Sequence, residues 1–366
     1  MTNSEFMRDV LQRIATGPTL SKDLSLEEAQ HAMRIILEGQ ADEVQAGIFL
    51  IALRMKRETD DELAGILNAI HDGITPQGVA VDELITLVDP YDGYLRGTPA
   101  APFLPAVLAA CGLKVLTHGV RSMGPKFGAS HETVLQCAGL NIPADRLAAA
   151  KALENEHCGW AYLSQMQLAP ELAALTDLRT RIVKRPCLTT IEVAVNSMRP
   201  AGRSHLVTGF VHKPYPPIYA RLAKVGGFAT SILVRGVEGG IVPSLTQAAR
   251  YFVSEDGEQL KQVDINPEIF GIERKERAVP LPEHLVNDSI RSVKAPENPF
   301  ARELAEYAAQ IGLAALEGDE GYTRDSLVYS GAVILHGLNK TSTLAEGAEQ
   351  IRTVLSNGTA KRHFQA

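Results

Sequence analysis

Residues 102–139 read PFLPAVLAACGLKVLTHGVRSMGPKFGASHETVLQCAG, and this stretch decides the fold class. Pro102–Cys111 is an apolar run closed by Gly112, which predicts a helix, and Leu113–Thr117 predicts a β-strand. Ser130–Ala138 predicts a second helix, closed by Gly139. A helix, a strand and a helix joined by short glycine-containing loops are typical of an α/β layer structure.

The same alternation of predicted strands and helices continues on both sides of this stretch. We expect strands at Leu84–Asp89, Ser204–Gly209 and Thr230–Arg235, a helix at Pro217–Val225 and a long helical region at the C-terminus. This predicts an α/β fold with a central, mostly parallel sheet flanked by helices. The carboxyl ends of parallel strands share one edge, so residues 89–97, 117–130 and 236–244 should surround one crevice. Residues 256–299, rich in Pro, Glu and Asn, should form a long irregular excursion.

The first 75 residues predict a small all-helical domain. Ser25 with Glu28, and Thr59 with Glu62, have the spacing of capping boxes, in which a hydroxyl and a carboxylate satisfy free amides at a helix start. Between them, 41–55 is apolar on most sides of a helix in its second half. Such a helix needs several neighbours or a second subunit to cover it, which predicts a homodimer formed through this domain.

Composition excludes several protein classes. The 366 residues are 45% hydrophobic and 22% charged, as in globular proteins with a sizeable core. No uninterrupted apolar run is long enough for a transmembrane helix, and the charged N-terminus does not resemble a signal peptide. The four cysteines form no CxxC or metal-ligand spacing, so we expect reduced thiols in a cytoplasmic protein that binds no membrane.

The net charge of −7 conceals a strong segregation of charge along the chain. Residues 1–92 have a net charge of −10 and residues 236–366 of −6, whereas residues 178–235 carry ten basic residues and one acid, Glu192. So basic a segment is a candidate anion-binding surface. The alternative is that its cations pair with acids from other parts of the fold.

The loop His118–Gly128 follows a predicted strand and precedes a predicted helix. Its glycines, with Arg121, Ser122 and Lys126, could hold an anion through backbone amides and cations. Many strand–helix loops share these features, so the loop alone does not specify a ligand.

Residues 111–122, CGLKVLTHGVRS, resemble the run CGLKVAKHGNRS of the anthranilate phosphoribosyltransferase family (glycosyltransferase family 3). The N-terminal LSLEEAQHAMRIILEGQADEVQAGIFLIALRMKRETDDELAG is similar to the family's helical domain, without gaps. The resemblance covers nearly the whole chain. It implies a nucleoside phosphorylase/phosphoribosyltransferase-like fold, with a helical domain at 1–78, a helical contribution from about 165–186, and an α/β domain at 79–366.

The resemblance also shows where this chain departs from the family, whose enzymes transfer phosphoribose from phosphoribosyl pyrophosphate to anthranilate using magnesium. The GTGGD phosphate loop corresponds to Asp89–Gly93, where two carboxylates and a proline replace anion-binding amides. The polar NxST set corresponds to apolar residues 99–102. The two acidic magnesium ligands correspond to Ile241 and Val242, which cannot ligate a metal. We therefore expect no metal or other cofactor, and no catalytic residue is assigned.

This combination resembles the YbiB-type anthranilate phosphoribosyltransferase-like proteins, dimers that bind nucleic acid without sequence preference. The resemblance implies that a basic cleft between the domains binds nucleic acid, which we expect to be single-stranded. One alternative is an active transferase or phosphorylase with a different phosphorylated or ribosylated small molecule as substrate. Another is a non-catalytic regulatory or scaffold protein that meets its partners through the apolar helix at 44–55. The candidate nucleic-acid or anion-binding residues are His118, Arg121, Ser122, Lys126, Arg179, Arg181, Lys184, Arg185, Arg199, Arg203, Lys213 and Tyr215.

Overall fold

A computed structural model describes residues 2–17, 19–286 and 293–366. The first four helices are α1 (Asn3–Ile14), α2 (Leu26–Leu37), α3 (Glu43–Lys56) and α4 (Asp60–Asp72). Ser25 and Thr59 are the N-caps of α2 and α4, and both form the reciprocal capping boxes that the sequence predicts. The all-helical N-terminal region is therefore confirmed.

The strands are β1 (Gln77–Val79), β2 (Glu83–Val88), β3 (Val115–Gly119), β4 (Trp160–Ser164), β5 (Met198–Pro200), β6 (Arg203–Phe210), β7 (Thr230–Arg235), β8 (Ala249–Glu255) and β9 (Lys261–Ile265). Seven of them form one sheet in the order β4-β3-β2-β6-β7-β8-β9, and β1 and β5 pair separately. The first five strands of the large sheet are parallel, whereas β8 and β9 are antiparallel additions. The predicted α/β class and mostly parallel sheet are confirmed.

The helices after α4 cover both faces of this sheet and its ends. They are α5 (Leu104–Ala110), α6 (His131–Cys137), α7 (Arg146–Glu154), α8 (Gln165–Leu168), α9 (Pro170–Ala173), α10 (Thr176–Ile182), α11 (Leu188–Ile191), α12 (Tyr215–Val225), α13 (Glu283–Val286), α14 (Pro299–Leu316), α15 (Tyr322–Gly337), α16 (Leu344–Ser356) and α17 (Thr359–Gln365). No helix of the described residues is long and apolar enough to cross a membrane.

Alternate residues of the central strands enter two different hydrophobic cores. In β2, Leu84 and Val88 pack in the core that also contains helices α1–α4, while Ile85 and Leu87 pack under the C-terminal helices. This alternation follows from the two-residue period of a strand. Because one core runs from the helical region onto the sheet, the division into 1–78 and 79–366 stays a prediction.

The prediction of an irregular excursion at 256–299 is wrong in part. Lys261–Ile265 forms β9 and pairs with β8, and Pro299 begins α14. β9 is the edge strand of the sheet, and only its Ile265 is buried, so the alternating apolar pattern of a strand is weak there. The rest of that prediction includes residues 287–292, which lie outside the described residues.

Candidate functional site

Five parallel strands end at one edge of the sheet, which we call the carboxyl edge. The loops that follow β2, β3, β6 and β7 begin there, at residues 89, 120, 211 and 236, and α8 begins there directly after β4. The loops after β2, β6 and β7 also touch one another, since a Cβ added to Gly239 would lie 3.3 Å from Val211 and 3.7 Å from Pro90. The structure therefore brings the predicted crevice loops together.

Asp89 is buried at this edge and fully engaged by donors of the chain itself. Its Oδ1 accepts the backbone amide of Ile241 at 2.9 Å, and its Oδ2 accepts the Tyr94 hydroxyl at 2.5 Å and lies 3.0 Å from His131 Nε2. Burial alone would raise the pKa of Asp89, but His131 and these hydrogen bonds hold that pKa below its usual value. Asp89 is therefore an anion with its own internal partners.

A second carboxylate, Asp92, draws two cations inward. Its Oδ2 accepts hydrogen bonds from the Arg185 guanidinium, with the Nε contact at 3.1 Å, and its Oδ1 lies 3.2 Å from Lys126 Nζ. The Asp92 side chain is only 5% exposed, whereas that of Arg185 is 44% exposed. Arg185 thus binds an internal anion and still presents surface to solvent.

Glu238 is a third carboxylate at the carboxyl edge that is held by donors of the chain. Its two carboxylate oxygens accept the backbone amides of Arg96 at 2.7 Å and Leu95 at 3.3 Å, and Lys126 Nζ lies 3.5 Å away. The residue has a left-handed φ of +54°, a conformation that disfavours non-glycine residues. Two amides and a lysine form a cradle suited to an anion, and a carboxylate of this chain fills it.

The candidate residue His118 is not an anion ligand. It is 1% exposed and shares a hydrogen bond with the Tyr91 hydroxyl through Nδ1. Burial, with a smaller contribution from His131, lowers the pKa of His118 to about 3, so the imidazole is neutral at physiological pH. An uncharged, inaccessible ring cannot attract phosphate, and this part of the prediction is wrong.

The candidate residue Arg179 is also buried. Its guanidinium donates to both oxygens of Glu192, at 2.6 and 3.0 Å, and the two side chains are 2% and 1% exposed. Glu192 is the one acid of the basic segment, so this buried ion pair lies within that segment. The alternative that these cations pair inside the fold is correct for Arg179, which is unavailable to a ligand.

Arg199 and Arg203 lie at the other end of the sheet. Arg203 begins β6 and is paired in register with Glu83, the first residue of β2, about 23 Å along the strand from Phe210. Arg199 lies in β5, and its guanidinium donates to the carbonyl of Gly226, just beyond the end of α12. These two arginines therefore do not lie at the carboxyl edge, and their role in anion binding stays a prediction.

Four candidates remain exposed near the carboxyl edge: Arg121, Lys184, Arg185 and Lys213. Within the described residues, Arg121, Lys184 and Lys213 have no carboxylate within salt-bridge distance. Arg181 is exposed but paired with Asp177 and Glu43, both at 2.9 Å. Of the two polar candidates in the β3 loop, Lys126 is bound to Asp92 and Glu238, and the Ser122 hydroxyl donates to the Pro296 carbonyl at 2.8 Å.

Tyr215 is half-buried at the start of α12. Its hydroxyl accepts a hydrogen bond from Arg54 at 2.8 Å, and its ring lies 5.5 Å from that of Tyr219. Tyr219 is buried, which raises the pKa of its hydroxyl, and it packs as an ordinary helix residue. Arg54 belongs to the acidic helical region, and a charge count by segment therefore overlooks it.

A cavity of about 990 Å³ opens beside the β3 loop, between the ends of β3 and β4 and the start of α14. Arg121, Phe127, Glu132, Gln165 and Met166 are among its lining residues. Glu132 and Gln165 are not among the site residues predicted from the sequence. A glutamate and a glutamine in helical segments have no distinctive spacing that would reveal them.

The residues that the resemblance puts at the magnesium ligands do not suit a metal ion. Ile241 and Val242 are apolar and 1% and 9% exposed, and the nearby Asp89 and Asp92 are engaged by donors of the chain. Among residues 2–17, 19–286 and 293–366, no cluster of three His, Cys, Asp or Glu side chains could hold a metal ion. Magnesium prefers oxygen ligands that are free to coordinate it, and these carboxylates are held by donors of the chain.

Comparison with known proteins supports the resemblance along the whole chain. Residues 8–72 match the model of the glycosyl transferase family helical bundle domain. Anthranilate phosphoribosyltransferase of Azospirillum brasilense is 28% identical over 362 residues, which are 98% of this chain and 91% of that protein. The chain is therefore similar over nearly its whole length to anthranilate phosphoribosyltransferases.

Solved structures of the family share the fold of this chain. The anthranilate phosphoribosyltransferase of Thermus thermophilus superposes with a TM-score of 0.74 at 22% identity, covering 98% of this chain and 97% of that chain. The Saccharomyces cerevisiae enzyme, solved with PRPP and Mg, gives a TM-score of 0.76 at 16% identity, covering 99% and 96%. This anthranilate phosphoribosyltransferase-like chain therefore has the complete fold of its relatives.

Proposed function

We propose that this anthranilate phosphoribosyltransferase-like protein binds single-stranded nucleic acid, without reading a defined sequence, along the carboxyl edge of its sheet. The observation that supports this most directly is the exposure of Arg121, Lys184, Arg185 and Lys213 at that edge. Arg235, the last residue of β7, is also exposed there. Cations spread along one edge suit a repeating phosphate backbone better than a single small anion.

The internal carboxylates also support this proposal, because they argue against binding of a small phosphate ester. Asp89, Asp92 and Glu238 fill the places where backbone amides and cations could hold a small phosphate ester. A ligand anion there would have to displace a carboxylate that is already neutralised by the chain. We therefore place polymer binding above transfer of phosphoribose, and we expect no magnesium requirement.

A second copy of the chain is the partner that we propose for α3. Val44, Ile48 and Met55 are 68%, 43% and 73% exposed, and their spacing puts them along one side of that helix. The opposite side of α3, with Ala46, Phe49, Leu50 and Leu53, is buried in the hydrophobic core, and α10 packs beside the stripe, with Leu178 3.8 Å from where a Cβ at Gly47 would lie. A dimer would cover this stripe and double the number of cations available to one strand.

Titration of the purified protein with a fluorescent single-stranded DNA 20-mer, at several salt concentrations, tests the binding proposal. Binding through about four phosphate contacts predicts that the logarithm of affinity falls with the logarithm of salt with a slope near −3. Phosphoribosyl pyrophosphate with magnesium serves as competitor. Absence of binding at low salt, or complete displacement by that small molecule, would refute the proposal.

A further inference from the structure

The cavity beside the β3 loop has one wall rich in hydrogen-bond acceptors. Gln165 is 1% exposed, and its amide nitrogen donates to Glu192 Oε2 at 3.3 Å. A carboxylate can only accept hydrogen bonds, so this contact fixes which end of the Gln165 amide faces Glu192. Gln165 is among the lining residues of the cavity, and its amide oxygen is buried without a hydrogen-bond partner.

A buried acceptor without a partner is uncommon, because leaving it unpaired has a substantial free-energy cost. The orientation of Gln165 cannot relax easily, since Glu192 is itself held by Nη1 and Nη2 of the buried Arg179. A ligand that supplies an N–H to Gln165 would therefore recover a hydrogen bond that the protein alone does not make.

Glu132 adds a second acceptor to the same cavity. It is 8% exposed, and the Tyr162 hydroxyl donates to its Oε2 at 3.1 Å. Burial raises the pKa of Glu132, with Tyr162 and Arg121 opposing that shift. Phe127 and Met166 contribute apolar surface to the lining, and the exposed Arg121 belongs to the same lining.

We propose that this cavity takes the base of one nucleotide of the bound strand, with its phosphate on Arg121, and that it prefers bases carrying an exocyclic amino group. The inference rests on the proposed function. Cytosine and adenine present an amino group as donor, whereas uracil and thymine present a carbonyl oxygen at the corresponding position. Acceptors at Gln165 and Glu132 match the amino group and repel the carbonyl oxygen.

The cavity is large enough for this role, since ligand pockets commonly measure about 300–1,000 Å³. Its apolar surface suits the faces of a planar ring, and Arg121 links it to the exposed cations of the carboxyl edge. The acceptors would bind the edge of the base and the apolar lining would contact its faces. The phosphate backbone of the strand would remain bound to the exposed cations. A modest base preference would thus be added to binding that is otherwise independent of sequence.

Oligo(dC) and oligo(dU) of equal length are the probes that test this inference. Both are pyrimidines without a methyl group, and they differ at two adjacent edge positions: cytosine has an amino group at C4 and an acceptor at N3, whereas uracil has a carbonyl at C4 and an N–H at N3. Titrations at pH 8 should show dC bound about threefold to tenfold more tightly than dU, as one added hydrogen bond predicts. Gln165→Met should abolish that ratio, because methionine keeps the size of the side chain and removes the acceptor.

Gln167→Met is the matched control. The Gln167 amide oxygen is also buried without a partner, but the residue does not line the cavity, so this variant should keep the wild-type ratio. If Gln165→Met fails to fold, Glu132→Gln replaces it and should reduce the ratio. Equal binding of dC and dU by the wild type would overturn the base pocket and leave the proposed function standing, whereas no binding of either would overturn both.

Discussion

The guanidinium of Arg185 donates two hydrogen bonds to a single carboxylate oxygen of Asp92, across 93 residues of sequence. This contact joins the end of the α10 region to the loop after β2. It also neutralises a cation at the edge where the chain presents its exposed cations to solvent. The balance between Asp92 and its two cations, Arg185 and Lys126, therefore sets how much positive charge the carboxyl edge offers.

Replacing Asp92 by asparagine should strengthen nucleic-acid binding. The change releases Arg185 and Lys126 from an internal anion, so we expect about threefold tighter binding of single-stranded DNA and a steeper salt dependence. Fluorescence anisotropy at two salt concentrations measures both quantities. Asp319→Asn, an exposed site with the same change of charge, should have little effect, and an equal gain in that control would count against the local explanation.

The buried pair of Arg179 and Glu192 should matter for stability rather than for binding. Arg179→Met leaves a buried carboxylate without its partner, which typically costs about 3–5 kcal/mol of unfolding free energy. Urea denaturation of this variant and of Arg181→Met gives the comparison, because the exposed pairs of Arg181 should contribute about 1 kcal/mol or less. Similar losses in both variants would contradict the burial of Arg179.

How much of this could be predicted from the sequence depends on the kind of feature. The capping boxes at Ser25 and Thr59 and the strand at Thr230–Arg235 are local patterns, and the structure has them where the sequence indicates. The pairing of Arg179 with Glu192, or of Arg185 with Asp92, depends on chain reversals that no local pattern reveals. The same holds for Arg203, whose position at the start of β6 puts it far from the crevice.

Acid should destabilise the protein through its buried histidines. Burial lowers the pKa of His118 to about 3, and that of His205 and of His71 to about 4, whereas an unfolded histidine titrates near 6.5. Between these values the unfolded chain binds more protons than the folded chain, so stability falls as pH falls below about 6.5. Each titrating histidine contributes a slope of about 1.4 kcal/mol per pH unit at most.

Unfolding free energies measured between pH 7 and pH 4.5 test this expectation. The variant His118→Gln should show a shallower loss of stability with acid than the wild type, because one proton-binding group of the unfolded chain is removed. His157→Gln, at an exposed position, should retain the wild-type profile. An unchanged pH profile in His118→Gln would contradict the assignment of His118 as a neutral, buried ring.

If the apolar stripe of α3 forms the dimer interface, a charge placed in that stripe should weaken the dimer. Ile48→Glu puts a charge in the middle of the exposed stripe. The dissociation constant of the dimer should therefore rise at least tenfold. Light scattering coupled to size-exclusion chromatography measures the mass. Leu20→Glu changes an exposed apolar residue outside α3, 68% exposed, and should leave the dimer intact. A wild-type monomer at all accessible concentrations would refute the proposed partner.

The most direct test of the nucleic-acid proposal compares charge reversal at the two ends of the sheet. Lys184→Glu with Lys213→Glu alters the carboxyl edge, and Arg199→Glu with Arg203→Glu makes the same total change of charge at the other end. We predict that the lysine pair lowers affinity for a single-stranded 20-mer by about tenfold or more and makes the salt slope shallower by roughly 1.4, while the arginine pair stays within about twofold of wild type. Equal losses in the two double variants, or no loss in the lysine pair, would contradict binding along the carboxyl edge.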